Sequence, residues 1–354
     1  MTRPQPDETD HQRIVELLRS LGATDSEIEA TPLDQRSALA LDVVLRDGRP
    51  PVSLSDAAEA IGRPAEDLAR LWRALGFASN NADALIPASL VDAQQILATS
   101  GTELLGREAT LGLARVIGAS TARLAEALVD SFRVSFELPE LGRGTRYSDV
   151  VKDYVDITRV ALPSFESMVI AAFRAHLVRV AGSAWMPDLH EAAARRTIAI
   201  GFADLVGYTA LSRTLTAAEL AQMLRRFEDG VNDVLAEHGG RLIKQIGDGV
   251  MFTAETADAG AAIALALAAA FSRTDDTPPV RVSLAWGVVL THLGDYYGDV
   301  VNLAARLVAL AKPGTVVISD DALAAMSDQW RTERLPDQAL KGFGTPAAVH
   351  RLVG

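Results

Sequence analysis

The hydrophobic pattern of this sequence changes near residue 196, and the change limits the folds open to the chain. From Gln12 to Arg195 apolar residues recur at intervals of three and four, which indicates amphipathic helices almost throughout. Beyond Arg196, continuous apolar runs typical of buried strands alternate with helical segments. With 354 residues the chain is long enough for two or three domains. We therefore predict an α+β protein, with an all-helical N-terminal domain followed by an α/β sandwich.

The predicted domain boundaries follow this change of pattern. The helical domain is predicted at residues 1–182 and the α/β sandwich at residues 197–354. Between them, a break that contains proline leads into a short charged stretch, so residues 183–196 are predicted to form a linker or transmitting helix.

Glycine and proline also predict where the helices of the first domain end. Residues 53–77 are predicted to form two short helices broken before Pro64. A helix that begins at Thr102 is predicted to end near Gly118, and another is predicted to start after Pro163.

Composition excludes several classes of function. The net charge of −12 disfavours nucleic acid or an anionic membrane as a partner, and the absence of cysteine leaves carboxylates and histidines as metal ligands. The longest apolar run, Ala259–Phe271, has 13 residues, fewer than the ~20 that a membrane helix needs. The polar N-terminus has no secretory signal. We expect a cytoplasmic protein without a membrane span.

Two aspartates stand out in the second domain. Asp204 lies in the apolar strand "FADLVGYT", and Asp248 lies in a tight turn between the strands "RLIKQIG" and "GVMFTAE". Each alone is compatible with a capping or turn role. If the strands are neighbours in one sheet, both carboxylates reach one edge and hold two hard cations about 4 Å apart. The helix start after Gly207, with Tyr208 and Thr209, offers backbone N–H groups to a triphosphate.

Three segments together identify a family. "FADLVGYT", "LIKQIGDGVMF" and "GDYYGDVVNLAARL" resemble, in order and spacing, signature segments of the class III adenylyl cyclases. The resemblance covers Ile198 to the C-terminus, and the long helical region before it is similar to the regulatory domain of soluble actinobacterial members. It implies a ferredoxin-like, palm-type cyclase domain. It also implies a lyase that converts ATP to 3′,5′-cyclic AMP and pyrophosphate.

The same resemblance implies roles for individual residues. Asp204, Asp248 and the backbone carbonyl of Leu205 match the ligands of two metal ions per site, Mg²⁺ or Mn²⁺. The aspartates of one chain are expected to face the substrate-reading residues of a second chain, so the resemblance implies a homodimer with two composite sites.

The substrate-reading residues come from three segments. Lys244 and Asp295 match the residues that contact the adenine ring and its amino group, a donor and an acceptor that fit adenine. Asn302 and Arg306 match the pair that orients the ribose and stabilises the transition state, and their spacing places both on one helix face. Lys341 matches a lysine that contacts the terminal phosphates.

The helical domain leaves several interpretations open. Residues 53–77 resemble a helix-turn-helix, or they form two helices of a regulatory bundle. Residues 1–190 carry 19 basic and 27 acidic residues, which favours the bundle over a DNA-binding regulator. A further alternative is a signalling protein that only binds nucleotide. His176 and His190 suggest a proton as effector, and the apolar helices suggest a lipid or another small molecule.

Overall fold

The computed structural model describes residues 7–46, 49–77, 85–88, 91–92, 102–184, 195–272 and 277–353. The chain divides into two compact units, Met1–Met186 and Pro187–Gly354, each with its own hydrophobic clusters. Most of the predicted linker at 183–196, including His190, lies outside the described residues. The predicted domain limits therefore stay a prediction.

The first unit is helical in its described part, apart from one short antiparallel pair formed by β1 (Val52–Ser53) and β2 (Leu85–Ile86). A single π-helical turn at Arg133–Glu137 follows its second-longest helix. The helices are α1 (Glu8–Leu21), α2 (Asp25–Ala30), α3 (Arg36–Leu45), α4 (Leu54–Ala60), α5 (Ala65–Ala74), α6 (Thr102–Leu105), α7 (Arg107–Phe132), α8 (Leu138–Gly142) and α9 (Tyr147–Ala184).

Two predicted helix ends in this unit are wrong. Helix α7 continues through Gly118, because this glycine serves close packing: a Cβ there would lie 2.3 Å from the carbonyl oxygen of Leu75. Helix α9 likewise continues through Pro163. Proline removes one backbone hydrogen bond from a helix, but Pro163 and Arg159 are exposed, so water can solvate the carbonyl that loses its donor.

The predicted break between α4 and α5 is confirmed. Gly62 adopts φ +65°, and Pro64 occupies the N-cap position of α5. Helix α5 then packs against α7, where Arg107 donates to Asp67 in addition to the close contact at Gly118. In a helix-turn-helix, α5 would be the helix that reads DNA. One face of α5 is covered by α7.

The second unit alternates strands and helices as predicted. Its helices are α10 (Tyr208–Thr214), α11 (Ala217–Glu237), α12 (Ala257–Ala270), α13 (Asp299–Leu307) and α14 (Asp320–Ala325). Its strands are β3 (Arg195–Leu205), β4 (Arg241–Ile246), β5 (Gly249–Ala254), β6 (Val280–His292), β7 (Asp295–Tyr297), β8 (Val316–Ser319), β9 (Arg331–Arg334) and β10 (Val349–Val353).

These strands form one mixed sheet in the order β4-β5-β3-β6-β8-β10-β9, with β7 paired to β6. The pairs β3–β5, β3–β6 and β4–β5 are antiparallel, whereas β6 and β8 are parallel. A helical unit is thus followed by a mixed sheet with helices, so the predicted α+β class is confirmed. No helix in the described ranges is long and apolar enough to cross a membrane.

Side chains alternate between the two faces of the sheet and so separate two cores. On β3, Ala199 and Ala203 pack in a cluster with α11, α12 and α14. Ile198 and Ile200 pack in a second cluster with α13. Because successive residues point to opposite faces, Asp204 is on the face of α13. This face carries the candidate site.

Candidate active site

Asp204 and Asp248 lie at the same end of neighbouring strands. Asp204 pairs with Gly249 in the β3–β5 ladder, and Asp248 is the residue just before Gly249. The N–H of Leu205 donates to the carbonyl oxygen of Asp248 at 3.2 Å, so the strands remain joined at the two aspartates. The structure thus brings the predicted metal ligands to one edge.

Gly249 leaves little free space around the carboxylate of Asp204. A Cβ at position 249 would lie 3.1 Å from the carbonyl oxygen of Ala203 and 3.2 Å from Oδ1 of Asp204. These distances are tighter than ordinary van der Waals contact, so a side chain at position 249 would crowd the carboxylate. The absence of one keeps Asp204 accessible from the Asp248 side.

Arg281 binds Asp204 and was not predicted from the sequence. It is the cross-strand partner of Asp204 in the β3–β6 ladder, and its Nε and Nη2 atoms donate to Oδ2 at 2.8 and 2.5 Å. A single arginine inside the apolar strand "VRVSLAWGVVL" was the available signal. Its guanidinium places a fixed positive charge beside the aspartates.

Burial raises the pKa of Asp248 above its ordinary value, and the nearby charge of Asp204 raises it further. The backbone N–H of Asp248 and the charge of Arg281 lower the pKa, but not enough to reverse the shift. The half-buried pair of carboxylates therefore has an unmet preference for positive charge. Carboxylate and carbonyl oxygens are the ligands that Mg²⁺ and Mn²⁺ prefer, so the residues fit these ions.

Lys244 and Asp295 contact each other directly. Lys244 is on β4, and its Nζ lies 2.5 Å from Oδ2 of Asp295 at the start of β7. Oδ1 of Asp295 accepts a hydrogen bond from the backbone N–H of Tyr296 at 2.8 Å. Both side chains are partly exposed. A donor and an acceptor are thus held side by side at the surface.

Asn302 and Arg306 lie one turn apart on α13, and this helix packs on strand β6. The buried Ser283 hydroxyl donates to the carbonyl oxygen of Ala304 at 2.7 Å. Gly287 permits a close approach, since a Cβ there would lie 2.8 Å from a methyl group of Val300. The helix that carries the predicted catalytic pair is therefore fixed to the sheet.

Arg306 also lies beside the segment of Lys341. A Cβ at Gly342 would be 3.8 Å from Nη2 of Arg306, whereas Lys341 itself is exposed. The Nε atom of Arg306 is buried without a hydrogen-bond partner in the described part of the chain. A buried donor of this kind costs free energy unless a ligand or an ordered water accepts its hydrogen bond.

Tyr208 and Thr209 begin helix α10 directly after Gly207, which adopts φ +79°. They follow Asp204 closely, so they belong to the same end of the sheet as the aspartates. Among the described residues, no hydrogen bond or ion pair joins the aspartates to Lys244, Asp295, Asn302 or Arg306. Likewise, the described ranges contain no cluster of three or more His, Asp or Glu residues that would hold a metal alone.

Comparison with known proteins places these residues in a family. Residues 191–352 match the model of the adenylate and guanylate cyclase catalytic domain. The chain is 35% identical over 297 residues to an adenylate cyclase of Streptomyces coelicolor, covering 83% of this chain and 76% of that protein. It is 33% identical over 314 residues to an adenylate cyclase of Streptomyces griseus, covering 85% and 77%.

A third relative is a pH-sensitive adenylate cyclase of Mycobacterium tuberculosis, 27% identical over 325 residues, with 89% of this chain and 80% of that protein covered. All three matches extend beyond the sandwich into the helical unit. The chain belongs to the class III nucleotide cyclases, and the prediction that it is an enzyme of this family is confirmed.

We expect Asp248→Asn to raise the thermal unfolding midpoint at neutral pH without divalent cations. The folded state raises the pKa of Asp248, so its charged form opposes folding at any pH above that pKa. The gain should shrink as the pH falls towards the ordinary carboxyl pKa, because the wild-type side chain is then protonated. Differential scanning fluorimetry between about pH 4 and 8 measures this.

The matched control is Asp328→Asn, on an exposed turn of the same unit. It should leave the midpoint unchanged across the range. If Asp248→Asn melts below the wild type at pH 7, the negative charge of Asp248 does not destabilise the folded state, and the prediction is wrong.

Proposed function

We propose that this protein is an adenylate cyclase that converts ATP to 3′,5′-cyclic AMP and pyrophosphate. The observation that carries the proposal is the Lys244–Asp295 contact, with Nζ 2.5 Å from Oδ2. Ammonium groups only donate and carboxylates only accept, a pattern that fits N1 and the exocyclic amine of adenine. Guanine presents the reverse pattern at that edge, so ATP is the substrate we propose.

The two aspartates are proposed to hold the metal ions. Asp204, Asp248 and the carbonyl oxygen of Leu205 would bind two Mg²⁺ or Mn²⁺ ions, with phosphate and water oxygens as the remaining ligands. Bound in this way, the ions would lower the pKa of the ribose 3′-hydroxyl and neutralise the phosphate charge. Arg281 holds one oxygen of Asp204, which limits the positions that this carboxylate can adopt.

The residues of α13 are proposed to act on the ribose and the reacting phosphate. Asn302 would orient the ribose so that its 3′-oxygen faces the α-phosphorus. Arg306, one turn later, would place its charge on the phosphate oxygens as pyrophosphate leaves. Lys341 would neutralise the terminal phosphates, and the first residues of α10, Tyr208 and Thr209, would contact them from the aspartate side.

A composite site in a homodimer is the arrangement we propose. Within one chain the aspartates and the base-reading pair occupy different parts of the sheet face, and no hydrogen bond or ion pair among the described residues joins them. Strands β4 and β7, together with β6 and its turn into β7, also expose apolar side chains, as expected of an interface. These are Leu242, Ile246, Val288, Leu290, Leu293 and Tyr297.

The helical unit is proposed to dimerise and to regulate the cyclase unit. From Val160 onward, α9 exposes apolar side chains, among them Val160, Phe173 and Val178, which are exposed by 80%, 64% and 74%. Isolated surface apolar residues are common, but a continuous series along one helix is typical of a contact with another chain. A second copy of the same helix is the partner we propose.

The same unit offers a place for an apolar effector. Helices α3, α7 and α9 line a groove of about 310 Å³ with apolar walls, which include Leu124, Phe132 and Ile157. A volume of this order is enough for a small apolar ligand or part of an acyl chain. A proton is the other effector we consider: His176 is exposed on α9, and one relative is a pH-sensitive adenylate cyclase.

A DNA-binding function has less support. Helix α5 contacts α7 along its length, and the acidic residues Glu66 and Asp67 occupy its first turn, where a recognition helix would meet bases. A binding-only signalling protein remains the alternative that the activity assay below distinguishes.

The direct test is turnover. Purified protein with ATP and Mn²⁺ or Mg²⁺ is expected to form cyclic AMP, with cyclic GMP from GTP at least about tenfold slower, as expected for a site whose hydrogen-bonding groups match one base. Asp204→Ala should abolish activity with either metal. Nucleotide binding without cyclic AMP formation would identify the protein as a binding-only member of the family.

The composite site predicts complementation between two inactive variants. Asp204→Ala and Arg306→Ala homodimers should each be inactive, whereas a mixed dimer keeps one intact site. Random 1:1 mixing should recover about a quarter of wild-type activity, since half of the dimers then hold one of two sites. If tagged heterodimers are isolated and remain inactive, both residue sets belong to one chain.

Charges on α9 test the proposed role of the helical unit. Phe173→Glu and Val160→Glu place a carboxylate in the proposed contact, where burial without a partner costs several kcal/mol. We expect the dimer dissociation constant, measured by sedimentation, to rise at least about tenfold. Asp153→Lys, at an exposed position of α9 that already carries a charge, is the control; equal sedimentation of all variants would exclude α9 from the dimer contact.

A further inference from the structure

Strands β4 and β7 are distant in the sheet but are joined by two pairs of side chains. In strand order β5, β3 and β6 separate β4 from β7. Lys244 reaches across from β4 to Asp295, and Arg241, the first residue of β4, donates from Nη2 to the phenol oxygen of Tyr296. Its guanidinium carbon lies 5.4 Å from the centroid of the Tyr296 ring.

Tyr296 is the anchor of β7. The residue is only 5% exposed and packs in the cluster beneath α13 with Met251, Val289 and Ala304. A buried phenol oxygen needs a hydrogen-bond partner, and Arg241 provides one with a charge-assisted bond. Arg241 therefore stabilises the buried position of this ring.

The position of Tyr296 is transmitted directly to Asp295. The backbone N–H of Tyr296 donates to Oδ1 of Asp295 at 2.8 Å, while Lys244 occupies Oδ2. Strand β7 has three residues and pairs with β6 alone, after a turn in which Leu293 adopts φ 51°. So short a strand depends on side-chain contacts for its position.

We infer that Arg241 is a positioning residue for base selection: by binding Tyr296 it fixes β7, and with it the Asp295 carboxylate that distinguishes adenine from guanine. The inference rests on the proposed function, in which Asp295 accepts the adenine amine. Arg241 itself does not touch the nucleotide. Its loss lowers discrimination between the bases and leaves the aspartate pair on β3 and the β4–β5 turn intact.

The experiment compares the affinities of full-length protein for 3′-deoxy-ATP and 3′-deoxy-GTP with Mn²⁺, since neither analogue has the hydroxyl needed to cyclise. Arg241→Met should reduce the preference for the adenine analogue by about tenfold, the effect of weakening one hydrogen bond. Tyr296→Phe removes the other half of the contact and should cause the same loss. The double variant should be no worse than either single variant, because both act on one interaction.

Arg196→Met is the matched control, since Arg196 is on β3 and forms an ion pair with Glu255 at 2.9 Å. It should leave the preference unchanged, and Mn²⁺ affinity should stay within about twofold of wild type in all variants. If Arg241→Met fails to fold, Tyr296→Phe carries the test, because the ring keeps its apolar packing. A preference unchanged in Tyr296→Phe, or losses that multiply in the double variant, would overturn the inference.

The binding ratio also separates this inference from the proposed function. If the wild type forms no cyclic AMP but prefers 3′-deoxy-ATP, and the variants lose that preference, the inference stands while the proposed reaction fails. If the wild type is active and the variants keep the preference, only the inference fails.

Discussion

The second unit depends on the antiparallel pairing of β3 with β5, because that pairing sets two carboxylates side by side. Asp204 and Asp248 reach one sheet edge only in the register that matches Asp204 with Gly249. A shift of one residue would point Asp204 into the apolar cluster on the other face. The two carboxylates repel each other in this register. Burial of the apolar side chains in the rest of β3 offsets that repulsion. Arg281 on the next strand offsets part of that repulsion.

Fixed cations accompany two of the three carboxylates of the candidate site. Arg281 binds Asp204, and Lys244 binds Asp295. Both pairs are partly exposed, so neither is expected to contribute much to the free energy of unfolding. Their effect is geometric, since Oδ2 of Asp204 and both carboxylate oxygens of Asp295 have a defined donor before substrate arrives. Preorganisation of this kind lowers the reorganisation needed when a charged ligand binds.

The sequence predicted the alternation of strands and helices beyond residue 196, and the tight turn at Asp248, because continuous apolar runs and glycine turns are local signals. It failed at Gly118 and Pro163, where the outcome depends on a neighbouring helix and on solvent rather than on local propensity. The polar residues of the candidate site were predicted from the resemblance of three sequence segments to the family. That resemblance did not predict Arg281, since the partner of that arginine is 77 positions away and is set by strand register.

The β4–β5 hairpin has a consequence for the kinetics of an assembled enzyme. Lys244 and Asp248 are four positions apart on one stiff ribbon, and in the proposed homodimer they serve different substrates. Any tilt of the ribbon that follows capture of a base at one end would also move a metal ligand at the other. The two catalytic centres would then communicate through the backbone of the five residues from Lys244 to Asp248, and such communication is reciprocal by thermodynamic necessity. Half-of-the-sites behaviour would arise from the sheet itself, without a contribution from the helical unit.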